Sequence, residues 1–474
     1  MPAFASESAA LDVAATVIEL ARAAAGSAQV EVSVDRAQSA LTRFANSYIH
    51  QNVADDATSV RLRVHVDGRT ATGVTTVADV DGLRAVVERT LAAARLCPPD
   101  PSWPGLTGPT PLPGAADLDE ATFMAEADLR AGLVGDFIDA AGGLETAGYC
   151  RSGGWVGAFA NSAGQSVTGR AAEAAMDGIA RRAGADGVAR WASPRIADLD
   201  GAALGARAAA KALAGGDPVE LPPGRYEVVL EPLAVSDLLQ NLAFFGFNGK
   251  ALAEGRSFVR LGEAQFDPAI TLVDDVFGEQ ANGRPFDAEG TPKRRLELIA
   301  AGVTAAVAHD RRTAAAADAT PTGHAIPSGA WGPIPTNLCL LPSGALGDAR
   351  GRGADLAAAA GAAPQVDPAA AALVSGVERG LLVSDLWYTR VLDPKTLVVT
   401  GLTRNGVWLI EGGKVTAPVR NFRFTQSYPD ALGSGNVLDV GTLAASTPGG
   451  WDGGSWRQPA LRLASWNFTG GASG

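Results

Sequence analysis

The sequence has 474 residues, which is enough for two or three domains, and its hydrophobic content of 47% is sufficient to form their cores. Its charged fraction of 19% is lower than that of disordered chains. The net charge of −12 argues against a partner that is bound through a phosphate backbone. We therefore expect a folded protein that does not bind nucleic acid.

The N-terminal region lacks the features of a targeting segment. Residues 1–25 contain Glu7, Asp12, Glu19 and Arg22, whereas a signal peptide has a basic head and a long apolar run. No run of about 18 uncharged apolar residues occurs, so no membrane span is predicted. The three cysteines are far apart and form no C-x-x-C pair, which fits a reducing compartment. We expect a cytoplasmic protein.

The first half of the chain changes repeatedly between helical and strand patterns. Apolar residues at helical spacing predict helices over 8–25, 83–91, 118–141 and 199–214. Period-two alternation and turn signals predict strands over 60–66, 145–150, 154–161 and 165–176. Asp67-Gly68 is a hairpin signal after the first of these strands, and the seven prolines of 98–114 predict a long rigid loop.

The chain changes character after "GGDPVELPPG" at 215–224, which is the best candidate for a domain boundary. Short apolar strands separated by turns follow, and only 233–246 has a clear helical pattern. We predict an α+β protein. Its N-terminal α/β domain, residues 1–220, has antiparallel strands and flanking helices, and its C-terminal domain, residues 221–474, is mostly antiparallel β with few helices. The Ala- and Gly-rich composition near 346–371 predicts poor order there.

One short acidic stretch is "FDPAITLVDDVFGEQANGRPFDAEGTP" at 266–292, here called the acidic loop. Its six carboxylates are Asp267, Asp274, Asp275, Glu279, Asp287 and Glu289. Their spacing is not that of an EF-hand. Asp274 and Asp275 are adjacent at the end of a strand, so their side chains point to opposite faces and do not easily form an acid/base pair. The interpretation that we favour is that these carboxylates accept backbone N–H bonds in a long connection.

Other patterns that could carry chemistry are weak. No serine lies in G-x-S-x-G, and the three cysteines have no neighbouring histidine. We expect His65 to be solvated on a strand face, and the run at 293–295 to be a solvated basic turn. The four histidines are far apart in sequence, but a metal site formed in space by His309, His324 and a carboxylate is an alternative.

Several segments resemble, in order, those of the TldD/PmbA family, and the resemblance covers nearly the whole chain. In the second half they are the acidic loop, "TPTGHA" at 320–325, "PTN" at 335–337, "EGGKVTAPVRNFRF" at 411–424 and "RQPALRL" at 457–463. In the first half, "SALTRFANSYIHQNV" at 39–53 looks like the early paired strands of that family. "VHVDGRTATGVTTVADVDGLRAVVE" at 64–88 is similar to its next hairpin and helix.

The resemblance implies one of two kinds of subunit. TldD-like subunits are zinc metallopeptidases with H-E-x-x-x-H on a helix and a cysteine near the C-terminus, whereas PmbA-like or TldE subunits have the same fold without these ligands. In this sequence Gln240 and Asn241 stand where the first histidine and the glutamate are expected, and Phe245 stands where the second histidine is expected. The stretch at 446–463 contains no cysteine.

The resemblance therefore implies a non-catalytic subunit with no metal or cofactor of its own. Zinc is expected in a TldD-like partner, and the heterodimer would enclose a chamber for the proteolysis of peptides or unfolded proteins. Because the acidic loop recurs in both kinds of subunit, we expect it to be scaffold or cleft wall. The residues expected to face the chamber or the partner are Leu239, Gln240, Asn241, Phe244, Phe245, Phe247, Asp274 and Asp275.

Three alternatives remain at this stage. The apolar residues of that set could instead pack in the core, as buried apolar residues ordinarily do. The protein could be a homodimeric peptide-binding protein without a catalytic partner. It could also be a peptidase that uses an unrecognised metal site.

Overall fold

Two β-sheets, one in each half of the chain, organise the protein. The structure is a computed structural model that describes residues 6–114, 118–278, 283–344, 363–448 and 455–471. The predicted α+β class is confirmed, with an antiparallel sheet in the N-terminal half and a mixed sheet in the C-terminal half.

The first sheet has six antiparallel strands in the order β3-β2-β1-β4-β5-β6. Its strands are β1 Gln29–Ala45, β2 Tyr48–Val66, β3 Arg69–Thr75, β4 Glu145–Asn161, β5 Ser166–Arg182 and β6 Ala185–Ser193. The helices of this half are α1 Glu7–Ala24, α2 Val80–Leu96, α3 Glu120–Phe123, α4 Ala127–Ala140 and α5 Gly201–Ala214. Two hydrophobic clusters join them to the sheet, one under α1 and α2 and one under α4 and α5.

The local sequence explains how the first helices begin. The Ser6 side chain accepts a hydrogen bond from the Ala9 N–H at the start of α1, and Asp79 accepts one from the Gly82 N–H at the start of α2. The buried face of α1 repeats at helical spacing and consists of Ala10, Ala14, Val17, Ile18 and Ala21.

In the first half of the chain, one predicted helix is divided and two predicted strands are joined. The predicted helix over 118–141 is interrupted between α3 and α4, where Met124 follows the last residue of α3. The break predicted around 151–153 does not exist, because β4 runs through it. A Cβ at Gly153 would lie 2.2 Å from the Gln38 carbonyl oxygen, so the glycine permits close strand pairing rather than marking a turn.

The second sheet has eleven strands, and β14 and β16 lie beside β13 and β17. Its strands are β7 Gly224–Leu230, β8 Leu272–Asp274, β9 Leu296–Ala300, β10 Val303–Thr304, β11 Asn337–Leu340, β12 Arg379–Asp393, β13 Val398–Glu411, β14 Lys414–Pro418, β15 Phe422–Ser427, β16 Val437–Pro448 and β17 Ser455–Gly471. Its helices are α6 Pro232–Asn241, α7 Gly249–Ala253, α8 Arg311–Ala316, α9 Ala371–Ser375 and α10 Tyr428–Ala431.

Most strand pairs of this sheet are antiparallel, but two are parallel: β11 with β17 and β7 with β12. Because β17 also pairs with β7, the strands β17, β15, β13, β12 and β7 form a closed ring. The largest hydrophobic cluster of the described chain lies here, and helix α6 packs against β12 and β17. Of the Ala- and Gly-rich segment near 346–371, residues 346–362 lie outside the described ones.

A buried ion pair connects the two halves. The Lys211 ammonium on α5 donates to Glu231 at 2.5 Å and to the Ser384 hydroxyl at 2.9 Å. Glu231 is the residue immediately before α6, so this contact fixes the start of that helix against the first half. None of the helices in the described ranges combines the length and the apolar content that a membrane crossing requires.

Candidate functional site

Helix α6 holds most of the residues that the sequence singles out. Pro232 occupies its first turn, where a missing N–H costs nothing. The helix ends at Asn241, and residues Leu242–Gly246 form a π-helical turn in which the Phe247 N–H donates to the Leu242 carbonyl at 2.9 Å. The prediction of one regular helix over 233–246 is therefore wrong at its C-terminal end. π-Helical turns like that of Leu242–Gly246 occur frequently at functional sites.

The residues predicted on this segment divide into two groups by exposure. Leu239 and Phe247 are 1% and 0% exposed and belong to the core, so core packing accounts for both. Gln240, Phe244 and Phe245 are only partly buried. The side chain of Gln240 has no hydrogen-bond partner within the described residues. Among the predicted residues of this segment, the accessible ones are therefore an amide and two phenyl rings.

Asn241 is buried and belongs to a polar cluster that the sequence did not reveal. Its amide nitrogen donates to the carboxylate of Asp237, one turn earlier, at 3.2 Å. The same carboxylate accepts hydrogen bonds from the Tyr428 hydroxyl at 2.5 Å and the Thr389 hydroxyl at 2.7 Å. Burial, together with the nearby Asp385, raises the pKa of Asp237 to about 6 although these hydrogen bonds oppose the shift. Asp237 is the titratable group of α6.

The acidic loop has a different character, because its carboxylates are bound to the backbone. Asp267 accepts from the N–H groups of Ala269 and Gly435, and Asp275 accepts from Phe277. The prediction of backbone-bound carboxylates is thus confirmed for these two residues. Glu279 lies outside the described residues.

Asp287 is the most extensively bound carboxylate of the loop. It accepts from the backbone N–H groups of Glu289 at 2.8 Å, Thr291 at 3.0 Å and Ala325 at 2.9 Å. Burial and the neighbouring Glu289 nevertheless raise its pKa to about 7. These contacts tie the loop to the segment that contains "TPTGHA", which is a structural role.

Asp274 is fully buried and pairs with His324. Its Oδ1 lies 3.1 Å from His324 Nε2, and its Oδ2 accepts from the Thr336 and Asn337 N–H groups at 2.7 Å each. Burial alone would raise the pKa of Asp274, but the charges of Lys293 and His324 and these hydrogen bonds hold it below its ordinary value. Asp275 follows the last residue of β8 and is more accessible than Asp274.

Lys293 is buried with its ammonium directed to the Thr336 hydroxyl at 2.5 Å. Burial lowers the pKa of Lys293, and the charges of Asp274 and Asp287 oppose this effect. The prediction that the basic run at 293–295 is a solvated turn is therefore wrong for its first residue. Lys293 is the counter-charge of two loop carboxylates, which local sequence pattern could not show.

A second ion network fixes the loop to the first sheet. Arg311 lies 3.0 Å from Glu289 and 2.6 Å from Glu31, and Arg63 contacts the same two carboxylates. Burial alone would raise the pKa of Glu289, but Arg311 and Arg63 hold it below its ordinary value. Burial raises the pKa of Glu31 despite both arginines. The network joins β1, β2, the loop and α8.

His65 lies at the border of this network and stacks on Trp103, with ring centroids 4.8 Å apart. Its Nδ1 is 2.9 Å from the Thr70 hydroxyl. The expectation of a solvated His65 is therefore wrong, because the proline-rich loop covers this strand face with Trp103. The signal that could have indicated it is the single tryptophan in that loop.

Two matches in sequence establish the family. The model of the PmbA/TldA metallopeptidase C-terminal domain matches residues 223–470, and the model of PmbA/TldA metallopeptidase domain 1 matches residues 30–94. The chain belongs to the TldD/PmbA family. Among curated proteins, none matches it in sequence.

Solved structures share the family fold over nearly the whole chain. TldE from Thermococcus kodakarensis superposes with a TM-score of 0.82 at 17% identity, covering 97% of this chain and 100% of its own. Two crystal structures are described as candidate modulators of DNA gyrase. The one from Thermotoga maritima has a TM-score of 0.78 at 17% identity, covering 97% of this chain and 100% of its own. The one from Bacteroides thetaiotaomicron has a TM-score of 0.77 at 19% identity, covering 97% and 98%. At these identities the likeness shows the fold alone.

The zinc site that the TldD/PmbA resemblance implies for catalytic subunits does not fit the side chains of this chain. The Asn241 amide nitrogen faces Asp237 and is a donor, not a ligand, and the phenyl ring of Phe245 has no lone pair. In the described ranges, no three His, Cys, Asp or Glu side chains are grouped so that they could hold a metal ion.

The alternative metal site on His309 and His324 is not formed either, because no group of three possible metal ligands occurs in the described chain. Nδ1 of His324 lies 2.8 Å from the Thr322 hydroxyl, and its Nε2 faces Asp274. Nδ1 of His309 lies 3.2 Å from the Thr313 hydroxyl. Burial lowers the pKa of His309. Both rings are therefore part of the packing around the acidic loop.

Proposed function

We propose that this chain is a non-catalytic, TldE-like subunit of a TldD-type zinc metallopeptidase complex in the cytoplasm. In the complex it completes the chamber in which peptides or unfolded proteins are held for proteolysis. The zinc ion belongs to a catalytic partner that carries H-E-x-x-x-H. The observation that carries the proposal is the identity of three side chains on one segment: Gln240, Asn241 and Phe245.

The chemistry of these side chains supports a non-catalytic role. A zinc peptidase needs a general base that accepts a proton from the metal-bound water, and a carboxylamide has no basic site for that proton. Asn241 is in addition held by Asp237 at 3.2 Å. A single replaced ligand could be tolerated around a working site, but here both helix ligands and the base are replaced together.

The accessible part of the segment supports a binding role. Phe244 packs edge-on against Trp331 with ring centroids 6.3 Å apart, and Trp331 is 48% exposed. The partly exposed Gln240 and Phe245 belong to the same segment. An apolar surface with one amide can hold extended peptide with little sequence preference.

The test is a tagged purification of the chain from its native host, with identification of the co-purifying chains by mass spectrometry. We expect a stoichiometric homologue that carries H-E-x-x-x-H, with zinc in the complex. Neither chain alone should hydrolyse unfolded, fluorescein-labelled casein, whereas the two together should.

A control separates the roles of the two chains. Treating only this chain with a chelator, and removing the chelator before mixing, should leave the activity of the complex unchanged. The same treatment of the homologue should abolish it. Recovery of this chain alone at full yield, or casein hydrolysis by this chain alone, would contradict the proposal.

A further inference from the structure

Strand β12 contains a β-bulge, and one of its residues is Thr389, which donates to Asp237. Its pairing with β13 is interrupted between Trp387 and Arg390, and the two intervening residues, Tyr388 and Thr389, face the single residue Gly401. Tyr388 has a φ of 53°, a left-handed conformation that aromatic residues rarely adopt. Bulges redirect side chains, and backbone strain of this kind is concentrated at functional sites.

The bulge places two consecutive aromatic side chains on the outside of the sheet. In a regular strand neighbouring residues alternate between faces, but here Trp387 is 44% and Tyr388 is 65% exposed. Thr389 points inward instead and donates to Asp237 on α6 at 2.7 Å. Leu392, further along the strand, is 60% exposed. The bulge thus presents an apolar surface directly beside the candidate site.

Each aromatic ring of this surface is covered by an arginine. The guanidinium carbon of Arg404 lies 4.9 Å from the centroid of Trp387, and that of Arg390 lies 4.3 Å from the centroid of Tyr388. Arg390 donates to the backbone carbonyl of Thr389 at 2.9 Å. Within the described residues neither guanidinium has a carboxylate partner. Two cations are therefore held in place by rings without being neutralised.

We infer that Trp387, Tyr388, Arg390 and Arg404, here called the β12 patch, dock a carboxylate-bearing face of the catalytic subunit. This inference rests on the proposed function, because it names the surface that binds the proposed partner. Trp, Tyr and Arg are the residues that most often dominate the energetics of protein interfaces. Two arginines that meet no carboxylate within the described residues favour an acidic counterpart locally, whatever the net charge of the chain.

The composition of the patch favours a protein over a nucleic acid. Single-stranded nucleic acids also bind to aromatic rings and arginines, but they require a positive groove that follows the backbone. The patch has two guanidiniums, and the chain carries an excess of twelve negative charges. The contact of Thr389 with Asp237 also connects the patch to α6, where a partner would close the chamber.

The experiment measures the affinity of this chain for the partner recovered from the native complex, by surface plasmon resonance at about 50 and 300 mM NaCl. We expect the double variant W387A/Y388A to bind about 30-fold more weakly at both salt concentrations. We expect Arg404→Gln to bind about 5- to 10-fold more weakly at the low concentration and to depend less on salt.

Two matched variants are the controls. Tyr48→Ala removes a tyrosine that is 57% exposed on the first sheet, and Arg379→Gln changes an exposed arginine of the same strand β12 that pairs with Glu411. Both should bind within about twofold of the unchanged chain, since neither belongs to the patch. Far-UV circular dichroism establishes whether each variant is folded. If the double variant does not fold, the affinity of Arg404→Gln for the partner alone tests the inference.

The outcomes separate the patch from the proposed function. Recovery of no partner at all would overturn both. A partner that binds all variants equally would overturn only the patch. Patch-dependent binding of a single-stranded oligonucleotide, or of a second copy of this chain in place of the homologue, would also overturn it. If the patch variants bind more weakly while the control variants do not, and if binding of Arg404→Gln depends less on salt, the patch and the proposed function are both supported.

Discussion

The α6 segment and the acidic loop differ in how completely their polar groups are bound. In the loop, every described carboxylate accepts backbone hydrogen bonds or faces a buried cation, as Asp287 and Asp274 show. In the α6 segment, Gln240 is accessible and has no hydrogen-bond partner within the described residues, although Asp237 in the same helix is bound by three side chains.

This difference shows that the density of ionisable residues is a poor guide to chemistry. The loop has six carboxylates in 27 residues, yet the described ones act as connections between elements. Buried polar groups that are fully bound give rigidity, whereas a group that is accessible and unbound is free to meet a ligand or partner. The α6 segment has one ionisable side chain, Asp237, and an accessible amide, Gln240. This composition fits a surface that binds but does not catalyse.

The largest expected effect follows from breaking the loop's ion network. Arg311→Met leaves Glu31 and Glu289 buried with only Arg63 as their cation, so the free energy of unfolding should fall by about 3–5 kcal/mol. The adjacent Arg312 is 46% exposed and pairs with Asp100 at the surface. Arg312→Met should therefore cost below about 1 kcal/mol. Urea unfolding of both variants tests the contrast, and equal losses would contradict the assignment of the loop as scaffold.

The next effect separates core from surface within the α6 segment. Phe247 is fully buried and packs with Phe258 and Phe266, so Phe247→Ala should lower the free energy of unfolding by about 3 kcal/mol. Phe245 is partly exposed, and Phe245→Ala should cost about 1 kcal/mol. The same variant should weaken binding to the catalytic partner. If both replacements were equally destabilising, Phe245 would be a core residue and not a contact residue.

Much of the fold could be read from the sequence because it depends on local patterns. Apolar spacing located α1, α2 and α5, and turn residues located the β2–β3 hairpin. A break was wrongly predicted within β4 because Gly153 and Gly154 resemble turn residues, whereas they permit close strand contact. The π-helical turn after α6 was not predictable, since it changes the hydrogen-bond pattern without changing the apolar one.

The polar contacts of the site could be read only in part. The acidity of the loop was evident, and so was the chance that its carboxylates bind the backbone. The counter-charges were not, because Arg63 and Lys293 come from distant parts of the chain. Asp237 was missed for the same reason, since its partners Thr389 and Tyr428 are more than 150 positions away.

A third, smaller effect concerns pH. Because the pKa of Asp287 is about 7 in the folded state and about 3.8 when unfolded, the folded state binds more protons between these values. Its contribution to stability is therefore complete below about pH 4 and is lost as the pH rises through about 7. Asp287→Asn should remove this dependence, although it also removes an acceptor for the Ala325 N–H.

The measurement is the free energy of unfolding of both proteins between about pH 5 and 7. The difference between the unchanged protein and the variant should shrink by the order of 1–2 kcal/mol over this range. Asp275→Asn is the matched control for replacing a loop carboxylate by an amide, since its carboxylate is more accessible and accepts one backbone bond. Parallel curves for Asp287→Asn would show that the carboxyl titrates normally.

The smallest expected effect is the most informative about function. The family resemblance places Gln240 where a catalytic subunit is expected to have its first zinc ligand, but its side chain is partly exposed and unbound within the described residues. Gln240→Ala should therefore change the free energy of unfolding by less than about 0.5 kcal/mol. In the complex with the proposed catalytic partner, kcat for unfolded casein should stay within about twofold, because an amide supplies neither ligand nor base. A loss of about 100-fold in kcat with an unchanged KM would instead mean that Gln240 acts on the reacting groups. A rise in KM alone would place it on the chamber wall, as the exposed amide suggests. The split between the two constants thus decides whether this segment keeps any part of the chemistry or only holds the peptide.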